Sequence, residues 1–191
     1  DKIPVLPALP VQFGDYACWE RERFLDDGLE HQLAFWREKL GGELPALQLP
    51  ADGPRPAVQT DRGATTSVKL PEEISQQLKH ISDREDVTLY MALLSAFKIL
   101  LYRYTHQNDI IIGTTIANRS HFETQHLMGL FQNTLVLRSR LENKMTFREV
   151  LQQIRKTALE AYDHQDVSFE KLVEELQPER ELSQHPLFQV A

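Results

Sequence analysis

Three consecutive isoleucines constrain this chain more than any other feature. Asp109-Ile110-Ile111-Ile112-Gly113 is a short apolar run of β-branched residues, bounded by a charge and a glycine. Branching at Cβ favours extended backbone, and successive side chains of a strand point to opposite faces. The run therefore predicts a strand buried on both sides, which needs a covering layer on each.

The neighbouring sequence offers helices for that cover. Leu29, Leu33, Trp36 and Leu40 fall at i, i+4, i+7 and i+11, one apolar stripe that Gly41-Gly42 ends. Pro71 suits the first position of a second helix, where Glu72 and Glu73 favour the N-terminal dipole and Ile74, Leu78 and Ile81 form the buried stripe. Thr88 is placed to cap a third, containing Ala92, Leu93, Ala96, Phe97, Leu100, Leu101 and Tyr104. Thr146 and Glu149 make a capping box for a fourth, with Phe147, Val150, Leu151, Ile154 and Ala158 inside. Ser168 caps a short last helix through Leu176. Further strands are expected from Ala64 to Leu70, from Thr134 to Leu141, and from Leu187 to Val190 as the start of a strand cut short. Strands alternating with helices indicate a layered α/β domain.

At 191 residues there is room for one sizeable core, or at most two small domains. Three prolines between Asp1 and Pro10 exclude a helix there, so residues 1–12 read as an extended linker and 13–191 as the folded unit. The abrupt beginning and end suggest a piece of something longer. A net charge of −7 argues against a nucleic-acid or anionic-membrane binder, which needs a basic face. A single cysteine excludes an internal disulfide framework and a multi-cysteine zinc site. No apolar run is long enough to span a bilayer and no secretory leader is visible, so a soluble cytoplasmic protein is expected.

Searching for chemistry yields little. There is no G-x-S-x-G elbow and no glycine-rich phosphate loop. Cys18, beside Trp19 and far from any activating base, reads as a buried inert thiol. His121 and His126 are five apart and lie on different helical faces, a poor metal spacing. In Asp163-His164-Gln165-Asp166 a histidine is flanked by two carboxylates, the makings of a polarised base. Sequence-adjacent side chains rarely meet in the geometry a base requires, so a polar interhelical loop is the better reading. Gly129-Leu130-Phe131-Gln132-Asn133-Thr134 places a glycine and two amides at the mouth of a strand. Close approach by a ligand and a plain loop-to-strand turn remain equally open there. The residues alone lead to an α/β domain without a complete catalytic set.

Several stretches together resemble the condensation domains of nonribosomal peptide synthetases. Phe13-Gly14-Asp15-Tyr16-Ala17-Cys18-Trp19 is similar to the family's fourth core motif, with Phe13 for its first tyrosine. Met128 to Arg138 resembles the fifth, with Gln132 where valine is common. His164-Gln165-Asp166-Val167-Ser168-Phe169-Glu170 resembles the sixth, with Ser168 for proline, and Arg180 to Leu187 the seventh. Gly113-Thr114-Thr115-Ile116-Ala117-Asn118-Arg119 matches another frequent family segment. The motifs stand in family order and cover nearly the whole chain. The third motif, His-His-x-x-x-Asp-Gly, which carries the family's active-site histidine upstream of the fourth, is absent, and His106 and Asp109 do not reproduce it.

The resemblance implies a fold like the C-terminal lobe of the two-lobed chloramphenicol-acetyltransferase architecture, without the N-terminal catalytic lobe. It implies amide formation between acyl or peptidyl and aminoacyl thioesters, tethered to upstream and downstream carrier proteins by phosphopantetheine arms, beside an adenylation domain. No directly bound cofactor or metal is implied. Gly129, Gln132, Asn133 and Thr134 would form a tunnel wall. Asp15, Tyr16, Trp19, His164, Gln165, Asp166 and Arg180 would be structural or lobe-interface residues, and no catalytic residue would lie in this chain. An isolated piece of this kind would be inactive, or would serve as a docking module for carrier or neighbouring domains. A hydrolase built on His164 lacks a nucleophile.

Overall fold

The structure, a computed structural model, describes residues 8–25, 29–60, 62–178 and 183–191. Its elements run α1 (Phe13–Leu25), α2 (Glu30–Leu40), α3 (Glu72–Arg84), α4 (Leu89–Thr105), β1 (Asp109–Ile116), β2 (Asn133–Arg140), α5 (Phe147–Asp163) and α6 (Phe169–Leu176), with a 3₁₀ turn at Phe122–Thr124. The isoleucine run is the centre of the molecule: Ile110, Ile111 and Ile112 are at most 3% exposed. β1 pairs antiparallel with β2, Ile110 opposite Ser139, Ile112 opposite Leu137 and Gly113 opposite Val136. Helix α5 packs on β2 and on α4, α4 packs also on β1, and α6 joins α2 to β2.

Helix starts follow the sequence closely. Thr88 accepts from the Met91 amide, Ser168 accepts from the Lys171 amide, and Thr146 with Glu149 forms the reciprocal capping box. Each satisfies amides that have no partner inside their own helix. Leu29, Leu33, Trp36 and Leu40 are all buried, and the Gly41 amide closes α2 on the Arg37 carbonyl at 2.8 Å.

Four expectations fail, three of them for want of a partner surface. Ala64–Leu70 is not a strand: every residue in it is exposed and no other strand lies alongside. Leu187–Val190 forms no ladder. A single bond from the Gly113 amide to the Val190 carbonyl, 2.9 Å, attaches it to β1, while the Phe188 ring fills the space a Cβ on Gly113 would need. The stripe on α3 is not buried, because α3 packs mainly against α4: Ile74 is 45% exposed, Leu78 and Ile81 are half-buried, and only Ser82 is buried. Phe147, expected inside, is exposed at the first turn of α5.

One core residue is a cation. Lys98, on the buried face of α4, is 0% exposed. Its Nζ donates to the Leu137 carbonyl (2.7 Å), to Ser139 Oγ (2.9 Å) and to the Ile110 carbonyl (3.4 Å). Three acceptors match the three N–H bonds of an ammonium. Burial nonetheless pushes its pKa down to about 7, opposed only in part by the Asp109 carboxylate. That carboxylate is itself held. Arg138 grips it at 2.7 Å and Arg140 at 3.2 Å, and together they keep it below the usual carboxylate range against the opposing effect of burial. Arg138 also reaches the Lys39, Gly41 and Glu43 carbonyls at 3.3–3.4 Å, tying β2 to the end of α2.

The folded pKa of Lys98 lies below its unfolded value of 10.5, so between about pH 7 and 10.5 the unfolded chain holds a proton that the folded chain has lost. Stability from this group should therefore rise with pH, by roughly 1–4 kcal/mol from pH 7 to 10. Urea unfolding of the wild type and of Lys98→Met should differ by this slope. Equal pH profiles would show that Lys98 keeps an ordinary pKa. Lys98→Ala, which leaves a void, should lose about 2–5 kcal/mol at pH 7.

Candidate functional site

The motif stretches far apart in sequence converge at one end of the sheet. Helix α1 lies there against the 117–132 connection between the strands and against the turn between α5 and α6. Gln12 precedes α1, and its amide donates to Asp15 Oδ2 at 2.8 Å, the return half of a capping box. This fixes where Phe13, Tyr16 and Trp19 project. Phe13 lies edge-on to Phe131 at 5.3 Å, and Tyr16 meets the same ring at 4.7 Å. A Cβ on Gly129 would stand 2.1 Å from Phe13 Cδ2, so the glycine is what lets the connection close over this ring. Tyr16 Oη donates to Glu20 at 2.9 Å, and burial together with Glu20 raises its pKa above the ordinary phenol range.

Arg119 organises the connection. Its guanidinium stands 4.1 Å above the Phe131 ring and donates to the Thr124, Leu127 (2.9 Å) and Gly129 (3.5 Å) carbonyls. Sequence reasoning gives Arg119 no role of its own. A cation followed by a carbonyl-rich, glycine-containing loop is the signal that could have found it.

Asn133 is 7% exposed and uses its whole amide on the backbone. Nδ2 donates to the Gln165 (3.0 Å) and Val167 (2.8 Å) carbonyls. Oδ1 accepts from the Thr134 (2.8 Å) and Phe169 (3.0 Å) amides. Two donors and two lone pairs are filled, so this side chain welds β2 to the α5–α6 turn and has no valence left for a ligand. Gly129 and Gln132 are exposed and Thr134 is half-buried.

Asp166 is the second weld. Its Oδ2 accepts from Arg23 Nη2 and from Gln32 Nε2, both at 2.8 Å, and its amide donates to Gln32 Oε1 at 3.0 Å. Arg23 also lies 4.8 Å from the Trp19 ring centre, whose edge meets His121 at 4.9 Å. The space enclosed by Tyr16, Arg23, Asn118, His121 and Asp166 is about 20 Å³, room for one water and not for a substrate.

His164 forms no base arrangement. Its Nδ1 lies 2.7 Å from the Glu160 carbonyl, its ring stacks on Phe35 at 3.8 Å, and its own carbonyl accepts from Trp36 Nε1 at 2.9 Å. Neither flanking carboxylate bonds the ring, so the polar-loop reading describes this segment. Gln165 contributes its carbonyl to Asn133. Arg180 lies outside the described residues. Farther along the same motif, His185 stacks on Phe188 at 3.9 Å, and burial lowers its pKa. Cys18 corrects the expectation of a buried thiol: it is exposed, on the outward side of α1. Among the described residues no cluster of three or more potential ligands could hold a metal ion, and no single helix is long and apolar enough to cross a membrane.

Phe122, Met128 and Leu130, all on the 117–132 connection, are 74%, 89% and 80% exposed. Three large apolar tips in one loop are more than scattered surface residues.

Comparison with known proteins follows the same residues. The sequence matches the Condensation domain family over residues 4–191. It is 54% identical to a linear gramicidin synthase component from Brevibacillus parabrevis over 99% of this chain and 4% of that protein. It is 44% identical to surfactin synthase subunit 1 of Bacillus subtilis (strain 168) over 96% of this chain and 5% of that protein. Among solved structures, the X-domain from teicoplanin biosynthesis superposes with a TM-score of 0.87 at 32% identity, over 98% of this chain and 43% of that one. A four-domain nonribosomal peptide synthetase bound to AMP and glycine superposes at 0.82 with 30% identity, over 86% of this chain and 12% of that one. The chain thus spans 4–5% of these two synthases.

Asn133→Ala should break four hydrogen bonds, that to the Val167 carbonyl fully buried, and lower stability by about 1–3 kcal/mol. The urea midpoint measures this directly, and an unchanged midpoint would mean that the four bonds do not hold β2 in place.

Proposed function

Because this chain belongs to the condensation-domain family, we propose that it is the C-terminal lobe of a domain that joins two carrier-bound thioesters through an amide bond. The amine of a downstream aminoacyl thioester attacks the carbonyl carbon of an upstream acyl or peptidyl thioester. The C–N bond forms, the C–S bond breaks, and the amine proton ends on the released pantetheine thiol. Phosphopantetheine arms serve as tethers for both substrates. The motif histidine that handles the amine belongs to the upstream lobe, and this lobe supplies the facing wall. Much of the rate gain in such a reaction comes from holding two tethered reactants in line.

The observation that carries this reading is the knot of motif residues. Phe13, Tyr16, Arg119, Gly129, Phe131 and Asn133 come from three separate stretches, and they form a rigid end to the sheet with no base or nucleophile among them. Such a construction supports a positioning wall more than a reaction centre. Gly129, Gln132 and Thr134 would line the tunnel there. Asn133 would act through the backbone it holds. Asp15, Tyr16, Trp19, His164, Gln165 and Asp166 would fix the lobe, with Arg180 near its end. The preceding lobe, two carrier proteins and an adenylation domain are the partners, in the cytoplasm. The exposed apolar tips Phe122, Met128 and Leu130 also favour a second reading, a docking module that binds neighbouring synthetase domains without turnover.

Supplied with both loaded carrier proteins, the 191-residue chain should form no amide on the downstream carrier, and the longer polypeptide that carries the His-His-x-x-x-Asp-Gly motif should form it there. Product from the short chain alone would overturn the lobe reading. In the longer polypeptide Gln132→Ala should slow turnover by about tenfold at unchanged melting temperature. An unchanged rate would remove Gln132 from the wall, and carrier binding without product from the longer polypeptide would favour the docking module.

A further inference from the structure

The connection between the strands is a closed loop with a guanidinium at its centre. Asn118 has φ 49°, a left-handed conformation that asparagine tolerates, and it turns the chain at the loop's neck. Arg119 follows, and its guanidinium lies 4.1 Å from the Phe131 ring centre, so the two ends of the loop meet face to face. Of the large apolar side chains between them, Leu127 is buried, and Phe122, Met128 and Leu130 are exposed. The loop therefore has almost no apolar interior of its own. Arg119 supplies one instead, drawing in the Thr124, Leu127 and Gly129 carbonyls. Among the described residues its hydrogen bonds all go to these main-chain groups, so the charge serves the loop and no carboxylate. A planar guanidinium can hold three carbonyls with its edge and a ring with its face, whereas an ammonium has neither the fork nor the flat surface.

Gly129 belongs to the wall proposed above, and its carbonyl is one of the three in the clasp. Gln132 follows the ring on which the clasp stacks. We propose that Arg119 is a positioning residue for amide formation: it touches neither thioester and fixes the main chain from Thr124 to Phe131, so that the wall offers both reactants one shape. The proposal rests on the amide-forming reading and adds the residue that sets the wall. Holding reactants in line lowers the barrier without tightening the docking of either carrier. Loss of the clasp therefore acts on kcat and leaves KM in place.

The test uses the longer polypeptide that carries the His-His-x-x-x-Asp-Gly motif, supplied with both loaded carriers, as wild type, Arg119→Lys and Arg119→Met. The rate is referred to the folded fraction, read from the melting curve of each variant. In both variants kcat should fall by about tenfold or more, with KM for each carrier within about twofold of wild type. The amides of Thr124, Gln125 and Leu127, which close turns inside the loop, should exchange at least about tenfold faster. Arg119→Lys keeps the test open should Arg119→Met fail to fold. A fall in kcat no larger than the loss of folded protein would overturn the proposal, by making Arg119 a purely structural residue. A raised KM at unchanged kcat would overturn it by making the loop a docking surface, and a full rate in Arg119→Lys by showing that any cation suffices. A wild-type polypeptide that forms no amide would refute the proposed function and this role with it. An active wild type with unaffected variants would refute the role alone.

Discussion

A lysine amine shut away from water holds the sheet to the helix above it. Lys98 joins α4 to both strands at once, through the Ile110 carbonyl on β1 and the Leu137 carbonyl and Ser139 hydroxyl on β2. An apolar side chain there would tolerate small slips of the helix along the sheet. A donor with three directed bonds does not, because any shift leaves a polar group unpaired in a medium that cannot solvate it. On the next residue of β2 the chain repeats the device: Arg138 binds Asp109 and the carbonyls that end α2. Side chains alternate along a strand, so Ser139, which holds Lys98 of α4, and Arg138 lie on opposite faces of the sheet.

That pair of cations helps fix so small a sheet against the helices that pack on it. The isoleucines supply the burial, and the register Ile112–Leu137 brings the two most apolar stretches together. Direction comes from the polar groups. The same division holds at the end of the sheet, where the rings of Phe13, Tyr16 and Phe131 fill space while Asn133, Arg119 and Asp166 set which backbone meets which. Asn133, expected to line a tunnel, and Tyr16 and Asp166, expected to be structural, therefore sit in one packed unit.

Local signals were legible in the sequence. Thr88, Thr146 and Ser168 start helices as their side-chain chemistry dictates, and the α2 stripe is buried at every position. Ile110–Ile112 reads as a central strand and is one. The misreadings have a common physical origin. A periodic pattern reports that a surface wants to be covered and does not name the cover. Ile74 on α3, Phe147 on α5 and Val68 carry the right pattern and remain exposed because nothing in these residues lies over them. Cys18 failed in the other direction, since its aromatic neighbour Trp19 is itself 39% exposed. At the site, the amide pattern of Gln132-Asn133 was visible, but its allocation to Gln165, Val167 and Phe169 depends on a turn more than thirty residues away. Arg119 was hidden for a similar reason: its partners are main-chain carbonyls, which leave no trace in side-chain pattern.

The weld at Asp166 also bears on the order in which this chain is assembled. Its two side-chain partners lie 143 and 134 residues upstream, on α1 and α2. Closing loops of that length sacrifices chain entropy before any contact repays it, and long sequence separation slows folding. During synthesis α1 and α2 leave the ribosome long before the carboxylate that fastens them exists. They must wait as amphipathic segments with open apolar faces until Asp166 has emerged. The end of the sheet is therefore the last part to set, and the half-made polypeptide is most exposed to wrong partners in the interval before it does.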